Sequence, residues 1–137
     1  MSSTRESPPL AKVILIIDDD RETREATAEL LLDMGYFTMA AGSGKDALRL
    51  FSHGLIPAIM LVDLEMPDMN GEEFCRRCNE IPAIAAVPKV FVSGAVEPNG
   101  LMQRSGAHGF LAKPILDRHI LKLLAGYDIH PAPATVG

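Results

Sequence analysis

Short apolar segments that end abruptly in polar side chains are the feature that most constrains the fold of this chain. The clearest of them spans residues 59–62, reads IMLV and is followed directly by Asp63. Its residues do not alternate between apolar and polar, which is typical of a strand covered on both faces, and Pro67 and Gly71 indicate a loop after it. Because ligands bind at the carboxyl ends of the strands in open α/β sheets, Asp63 is a candidate nucleophile or metal ligand.

Segments of the same kind recur along the chain, with helical patterns between them. Further strands are predicted at residues 12–17, 36–40, 89–92 and 110–112. Apolar residues at helical spacing predict helices over residues 21–34, 45–53, 72–80, 101–105 and 115–125. Pro82 and Pro88 predict an irregular segment over residues 81–87. Five strands alternating with five helices indicate an α/β fold with a doubly wound parallel sheet, because each right-handed crossover lays a helix on one face.

Length and composition fit one domain. We expect a flexible tail over residues 1–10, the domain over residues 11–126, and a flexible tail or linker over residues 127–137. Hydrophobic residues make up 47% of the chain and charged residues 23%, which is typical of globular proteins. The net charge of −5 argues against nucleic acid or an anionic membrane surface as a partner. The sequence has no secretory signal and no apolar run of membrane-spanning length, so we expect a cytoplasmic location.

Cys75 and Cys78 form a C-x-x-C motif inside a predicted helix. A zinc site would need two further ligands, and the four histidines of the sequence provide no pair at ligand spacing. A redox pair of the thioredoxin type usually lies where a helix begins just after a strand, whereas these cysteines lie within the helix. We therefore expect one or both cysteines to pack inward as small apolar side chains.

Chemically active side chains lie at the ends of four of the five predicted strands. They are Asp18 and Asp19 after the first strand, Asp63 after the third, Ser93 after the fourth and Lys113 after the fifth. Because the strands are parallel, these groups gather at one edge of the sheet, where neighbouring carboxylates form a hard oxygen site suited to Mg²⁺. An ionised Asp63 can attack a phosphoryl group in line, with Lys113 to neutralise the phosphoryl oxygens and Ser93 to hydrogen-bond one of them.

Four motifs occur in order along the chain: ILIIDDD, VDLEMPDMNG, FVSG and GFLAKP. With these motifs the chain resembles the receiver domain of two-component response regulators. The resemblance covers about residues 11–126. It implies a flavodoxin-like (βα)5 three-layer sandwich whose parallel sheet has the strand order 2-1-3-4-5. It also implies a phosphoprotein of a phosphorelay rather than an enzyme with a separate substrate.

The resemblance assigns Asp63 as the phosphoacceptor and places Mg²⁺ beside it. Asp18 and Asp19 match the acidic pair of the family, of which Asp19 would contact the metal directly and Asp18 mainly through water. The backbone carbonyl two residues after the acceptor is a further metal ligand in the family, and here it belongs to Glu65. Asp20 has no such match, and we interpret it as a residue that caps the helix after it or lies in its first turn.

Ser93, Phe110 and Lys113 match the positions that transmit the modification in the family. The resemblance implies that the Ser93 hydroxyl moves toward the phosphoryl group and that the Phe110 ring then turns inward. Each of these residues also has a simpler interpretation. Ser93 would only satisfy backbone groups in a turn, Phe110 would be an ordinary core residue, and Lys113 an ordinary surface lysine.

The function that this pattern implies is a phosphorylation switch. The phosphoryl donor would be phosphohistidine on a sensor histidine kinase or a histidine phosphotransfer protein, and the domain would catalyse its own phosphorylation and dephosphorylation. A downstream protein or a second copy of the chain is the expected output partner. Gly94 stands where the family commonly has alanine, and the segment from Ser93 to Lys113 is short, so we expect a short fourth helix and do not extend the usual dimer of the family to this chain.

Two other functions are compatible with the same residues. One is a receiver-like interaction module that binds a partner without being phosphorylated. The other is a small phosphohydrolase that forms an aspartyl phosphate. Hydrolases of the haloacid-dehalogenase type have a second aspartate two residues after the nucleophile. In this chain that position is Glu65, which departs from the hydrolase pattern.

Overall fold

The computed structural model describes residues 12–132. The tail predicted over residues 1–10 therefore lies outside the described residues, as do residues 133–137 of the predicted C-terminal tail. Within the described part, no helix is long and apolar enough to cross a membrane.

Five parallel strands form one sheet in the order β2-β1-β3-β4-β5, which confirms the predicted topology. The strands are β1 (Val13–Ile17), β2 (Phe37–Ala41), β3 (Ile59–Asp63), β4 (Lys89–Ser93) and β5 (Gly109–Ala112). The helices of the described chain are α1 (Arg21–Asp33), α2 (Gly44–Ser52), α3 (Gly71–Asn79), α4 (Pro82–Ala85), α5 (Leu101–Ser105) and α6 (Asp117–Gly126). The short α5 coincides with the helix predicted over residues 101–105.

Side-chain caps fix where three of the helices begin. Asp20 accepts a hydrogen bond from the Thr23 N–H at the start of α1, and Ser43 and Asn70 cap α2 and α3 in the same way. Such caps satisfy backbone donors that have no partner inside the helix. The interpretation of Asp20 as a capping residue is confirmed, and its carboxylate is accordingly turned to its own helix.

The sheet separates two apolar layers, as in a three-layer sandwich. Leu15 and Phe91 point to the face covered by α2, α3, α4 and α5, where Phe74 is fully buried. Ile14 and its neighbours point to the opposite face, where Leu31 of α1 packs with α6. Cys75 and Cys78 are free thiols with no exposed surface in the first layer, as expected from the sequence.

Residues 81–87 differ from the irregular segment that the sequence predicted, because Pro82–Ala85 form one turn of helix, α4. Proline is compatible with the first position of a helix, where its missing N–H would have no partner anyway. The side chain of Lys89, completely buried, supplies the donors that end this turn. Its Nζ donates to the carbonyls of Ile84, Ala85 and Val87 at 3.3, 3.0 and 2.8 Å.

The described part of the predicted C-terminal tail, residues 127–132, is packed against the domain, so the expectation of a loose tail from residue 127 is wrong there. Ile129 is only 2% exposed and belongs to the apolar layer of α1 and α6. The Ala132 N–H donates to the Gly35 carbonyl at 2.8 Å, and Lys12 Nζ donates to the Asp128 carbonyl at 2.7 Å. These bonds hold the segment under the end of the sheet where β1 and β2 begin.

Candidate functional site

Side chains from the carboxyl ends of three strands meet at one edge of the sheet. Asp63 is the last residue of β3, Asp18 directly follows β1, and Lys113 directly follows β5. Asp18 and Asp63 are each only 5% exposed. Lys113 Nζ lies 3.2 Å from Asp18 Oδ2 and 3.4 Å from Asp63 Oδ1, so one ammonium contacts both buried carboxylates.

A third carboxylate completes an acidic cluster. Asp18, Asp19 and Asp63 each offer an oxygen that lies within 4.8 Å of the other two. Asp19 is exposed, so the cluster combines two buried carboxylates with one at the mouth of the site. Three carboxylates around one lysine leave an excess of negative charge. This donor set of carboxylate oxygens fits a hard divalent cation such as Mg²⁺.

Three hydrogen bonds hold Asp18 in place, two through its backbone and one through its carboxylate. Its N–H donates to the Ala41 carbonyl at 3.1 Å, and its carbonyl accepts from Nη1 of Arg24 at 2.8 Å. Its carboxylate Oδ1 accepts from the Asp20 N–H at 2.9 Å. The acidic loop is therefore held by β2 and by α1 before any ligand binds.

Asp63 ionises with difficulty in this setting. Burial and the charge of Asp18 raise its pKa to about 6, against the opposing effects of Lys113 and of the Glu65 N–H, which donates to Asp63 Oδ1 at 3.3 Å. Although burial works in the other direction, Asp63 and Asp18 raise the pKa of Lys113, so the lysine is firmly charged. A cation that joined the cluster would favour the ionised form of Asp63.

Gly71 is required for the close approach of α3 to the end of β3. A Cβ on Gly71 would lie 2.6 Å from the carbonyl oxygen of Asp63 and 2.9 Å from Cα of Leu64. The Gly71 N–H donates to the Leu64 carbonyl at 3.0 Å, which closes the loop after β3. The sequence indicated Gly71 as a loop residue, but its contact with the backbone of Asp63 emerges only from the fold.

The remaining predicted site residues surround this centre. Ser93 ends β4, is completely buried, and its Oγ accepts from the Ala95 N–H at 3.0 Å. Phe110 of β5 is half-buried and packs on the layer covered by α2 to α5. Glu65 contacts Asp63 through its backbone, while its side chain is exposed. The structure thus brings Asp18, Asp19, Asp63 and Lys113 into one cluster and places Ser93 at the end of the next strand.

A groove of about 560 Å³ leads away from the acidic cluster between α1 and the segment after β5. Its floor is apolar and includes Ile16, Leu61 and Val92. Asp20 and Glu22 of the α1 end lie on its rim. The buried carboxylates are therefore reached from solvent through an open, partly apolar surface.

The structural roles of two residues, Arg24 beside the site and Lys89 at the other end of β4, were not found by sequence reasoning. Arg24 looked like one of several charges on the outer face of α1, and its bond to the Asp18 carbonyl depends on how α1 packs on the sheet. Lys89 looked like the start of a strand, and nothing in the local sequence indicates that its ammonium turns back to three carbonyls.

Comparisons with known proteins agree on one family. A family model described as the response regulator receiver domain matches residues 14–125. An uncharacterised 14.6 kDa protein of Leptolyngbya boryana is 31% identical over 116 residues, which cover 83% of this chain and 88% of that protein. The two-component response regulator ORR3 of Oryza sativa subsp. indica is 28% identical over 88% of this chain and 94% of its own length.

Longer proteins and solved structures show the same relationship. The sensor kinase/phosphatase CqsS of Vibrio cholerae is 33% identical over 129 residues, and this chain spans only 18% of its length. A solved structure of the chemotaxis protein CheY4 of Vibrio cholerae superposes with a TM-score of 0.79 at 25% identity, over 86% of this chain and 99% of that one.

Proposed function

This chain belongs to the response regulator receiver domain family, a family of signalling domains in two-component systems, and on that premise we propose that Asp63 is the residue that accepts the phosphoryl group. The observation that carries the proposal is the cluster at the sheet edge, in which a buried carboxylate faces a charged lysine and two further acidic residues. A structural ion pair alone would not need three carboxylates around one lysine.

The donor would be phosphohistidine on a sensor histidine kinase or a histidine phosphotransfer protein, in keeping with the kinases among the relatives. The ionised Asp63 oxygen attacks phosphorus as the bond from phosphorus to the histidine nitrogen breaks, which leaves an acyl phosphate and a neutral imidazole. Lys113 lies where it can neutralise charge on the phosphoryl oxygens. Because this chain supplies nucleophile and cation, the domain catalyses its own phosphorylation.

Asp18, Asp19 and Asp63, with the backbone carbonyl of Glu65, are the groups that we propose to hold Mg²⁺. The fit rests on the uncompensated acidic charge and on the purely oxygen donor set of the cluster. When bound, the metal supplies positive charge that neutralises the phosphoryl oxygens during transfer. Exposed Asp19 can exchange water for the ion directly, whereas Asp18 already has both carboxylate oxygens engaged by the Asp20 N–H and Lys113.

Ser93 and Phe110 are the groups that we propose to carry the signal. The Ser93 Oγ accepts from the Ala95 N–H, and its O–H proton can at the same time be donated to a phosphoryl oxygen on Asp63, which would draw the loop after β4 toward the site. Phe110 lies on the neighbouring strand in register with Phe91, where a change of the β4 end alters its packing.

Phosphorylation by a small donor tests the assignment of Asp63. The protein is incubated with acetyl phosphate and Mg²⁺ and examined by intact mass spectrometry, with Asp63→Asn as the matched control. We expect one added phosphoryl group on the wild type and none on the control. Absence of an adduct, together with absence of beryllofluoride binding, would favour an interaction module, and steady phosphate release from unrelated phosphomonoesters would favour a hydrolase.

Lys113→Ala separates acceptance of the phosphoryl group from the response to it. Loss of the only cation that contacts both buried carboxylates in the described chain is expected to slow phosphorylation by about 10²-fold, in line with the loss of one preorganised charge in other active sites. Some phosphorylated protein should still form, and it should fail to change its binding to a partner. Lys122→Ala, a change of an exposed lysine on α6, is the control.

A further inference from the structure

The outer edge of the sheet at β2 has backbone groups available for another strand. β2 is the terminal strand of the sheet and pairs with β1 among the described strands. Since the Asp18 N–H donates to the Ala41 carbonyl, the alternation of a strand directs the backbone of Phe37, Met39 and Ala41 to β1. The N–H and carbonyl groups of Thr38 and Ala40 therefore point outward.

This edge lacks the usual protection against pairing. Natural edge strands carry lysine, proline, inward charges or a bulge, because an open row of backbone groups invites association. The sequence of β2 is FTMAA, without a charge or a proline, and the register of its five residues with β1 is continuous. An unprotected strand of this kind is typical of one that has a partner.

Two large apolar side chains stand exposed on the same strand. Phe37 is 52% exposed and Met39 is 40% exposed. They are in register with Val13 and Leu15, and Leu15 points to the layer covered by α2. Phe37 and Met39 therefore lie on the α2 side of the edge, where α2 leaves them uncovered.

A recess lies on the same side, at the other end of β2. It has a volume of about 370 Å³ and is lined by Ala41 together with Leu50, Arg49 and His53 of the α2 region. Ala41 and Phe37 are four residues apart on the strand, so the recess and the exposed ring are placed symmetrically about Met39. A surface with a projection and a matching cavity on opposite sides of one point is self-complementary about a two-fold axis.

We propose that β2 pairs in antiparallel fashion with β2 of a second copy of this chain, about a two-fold axis at Met39. In that register Thr38 lies opposite Ala40 of the second copy, and the two pairs exchange four backbone hydrogen bonds. Phe37 then lies opposite Ala41 of the other copy, on the α2 side, so that its ring enters the recess. There the ring would pack on Leu50, beside the ion pair that Arg49 forms with Asp46 at 3.1 Å.

The contact joins two five-stranded sheets into one ten-stranded sheet. Only five residues of strand and the flanking helix surfaces take part, so we expect a dimer of the weak, concentration-dependent kind rather than an obligate one. The proposal does not depend on phosphorylation of Asp63, and it uses a different edge of the domain from β5.

A disulfide at the two-fold axis tests both the contact and its register. In the proposed pairing the two copies of Met39 form a non-hydrogen-bonded pair, whose Cα atoms are about 4.5 Å apart, within the range that a disulfide spans. Met39→Cys should therefore give a covalent dimer under mild oxidation. Val96→Cys, at a residue that is 89% exposed elsewhere, is the control and should stay monomeric. The native cysteines are fully buried and do not compete.

Sedimentation velocity from about 10 µM to 1 mM checks the association without a cross-link. The wild type and Val96→Glu should shift together toward the dimer as concentration rises. Phe37→Glu and Ala40→Pro should stay monomeric with unchanged circular dichroism, because the proline removes only an outward-facing N–H. A wild type that stays monomeric over the whole range overturns the proposal, and so does a Phe37→Glu variant that dimerises like the wild type.

Discussion

Asp63 is a carboxylate whose charged form the folded chain accommodates poorly. Its carboxylate is almost fully buried and lies beside Asp18, and among residues 12–132 only Lys113 and the Glu65 N–H stabilise its charge. As a result its pKa is raised to about 6. The native state therefore holds the Asp63 proton more tightly than the unfolded chain does.

This ionisation has a consequence for stability. A carboxyl group whose pKa is higher in the folded state lowers the free energy of unfolding as pH rises from about 4 to about 6, and the loss is complete above that range. We expect Asp63→Asn, in EDTA, to be more stable than the wild type by about 1–2 kcal/mol at pH 7.5, a value reduced from the full shift because solvent at the mouth of the site screens the charges. The difference should vanish near pH 4. Chemical denaturation at the two pH values measures it.

Mg²⁺ provides the control for this prediction. The ion should stabilise the wild type by mass action and leave Asp63→Asn less affected, so the gap between the two proteins should narrow or reverse in excess Mg²⁺. A gap that is the same at pH 4 and pH 7.5 would show that the effect does not come from ionisation of Asp63.

The residues of the candidate site were predictable to different degrees. Asp18, Asp63 and Lys113 follow strands directly, so their residue type and the parallel topology were enough to bring them together, and the structure does bring them together. Their roles in phosphoryl transfer stay predictions. Arg24 and Gly71 act through contacts with the backbone of Asp18 and Leu64, and no local pattern encodes such a contact.

At the scale of single elements, Lys89 joins α4 to β4. Its ammonium has three protons and finds three carbonyl acceptors, at Ile84, Ala85 and Val87, so a fully buried charge is hydrogen-bonded to capacity. Burial still lowers the pKa of Lys89. The one turn of α4 is thus ended by a side chain from the strand that follows it.

Lys89→Met tests this arrangement with little change in shape. The variant removes the Lys89 donor from the Ala85 and Val87 carbonyls, whereas the Ile84 carbonyl keeps the Val87 N–H. Because each unsatisfied buried group is costly, we expect a loss of about 1–3 kcal/mol in the free energy of unfolding. Lys122→Met, on the exposed face of α6, should change stability by less than about 0.5 kcal/mol. Urea denaturation compares them. Equal stability of Lys89→Met and the wild type would show that the buried charge offsets its own hydrogen bonds.

Side-chain hydrogen bonds connect the short helix α5 to α3. Arg104 donates to both carboxylate oxygens of Glu72, at 3.0 and 3.2 Å, and to the Asn99 carbonyl at 2.7 Å. Asn79 of α3 also donates to the Ser105 carbonyl at 3.0 Å. A helix of five residues has little stability of its own, so these contacts hold it in place.

Arg104→Ala should loosen α5 without unfolding the domain. We expect faster hydrogen–deuterium exchange of the α5 amides, while the amides of β1 and β3 keep their protection. Arg77→Ala is the matched control, because Arg77 pairs with Glu73 within α3. Unchanged exchange in α5 would assign its order to apolar packing, chiefly of the buried Leu101.

Element prediction from the sequence succeeded where apolar periodicity was strong and failed for α4, which is stabilised by a side chain outside the helix. Apolar runs and caps in the sequence indicated the five strands and the helices α1, α2, α3 and α6. α4 was missed because its only local signals were prolines, while its stabilising donor comes from Lys89. The predicted α5 was confirmed despite Pro98 and Gly100, since the helix begins after them.

At the scale of the whole molecule, residues 127–132 belong to the fold. Ile129 lies in the layer between the sheet, α1 and α6, and the next residues bond to the start of β2. The sequence suggested a loose segment because of its prolines and the end of α6. The apolar contact of Ile129 with a distant layer could not be read from neighbouring residues.

Ile129→Ala measures how far this segment contributes to global stability. Removal of a buried isoleucine side chain should lower the free energy of unfolding by about 2–4 kcal/mol, because the cavity is enclosed by packed side chains. Ile56→Ala, at a residue that is 61% exposed, should change it by less than about 0.5 kcal/mol. Thermal unfolding of both variants compares them. Equal melting temperatures would show that the segment is attached but does not contribute to the stability of the domain.

Lys12 and Ala132 are anchored side by side at the end of the sheet where β1 and β2 begin, through Asp128 and Gly35. Asp63 stands at the opposite end, one strand length away, or roughly 17 Å for five residues. A fluorescent protein joined through either residue would therefore sit behind the domain and leave the approach to Asp63 clear. Two labels joined through both residues would be close neighbours at the end of the domain opposite Asp63.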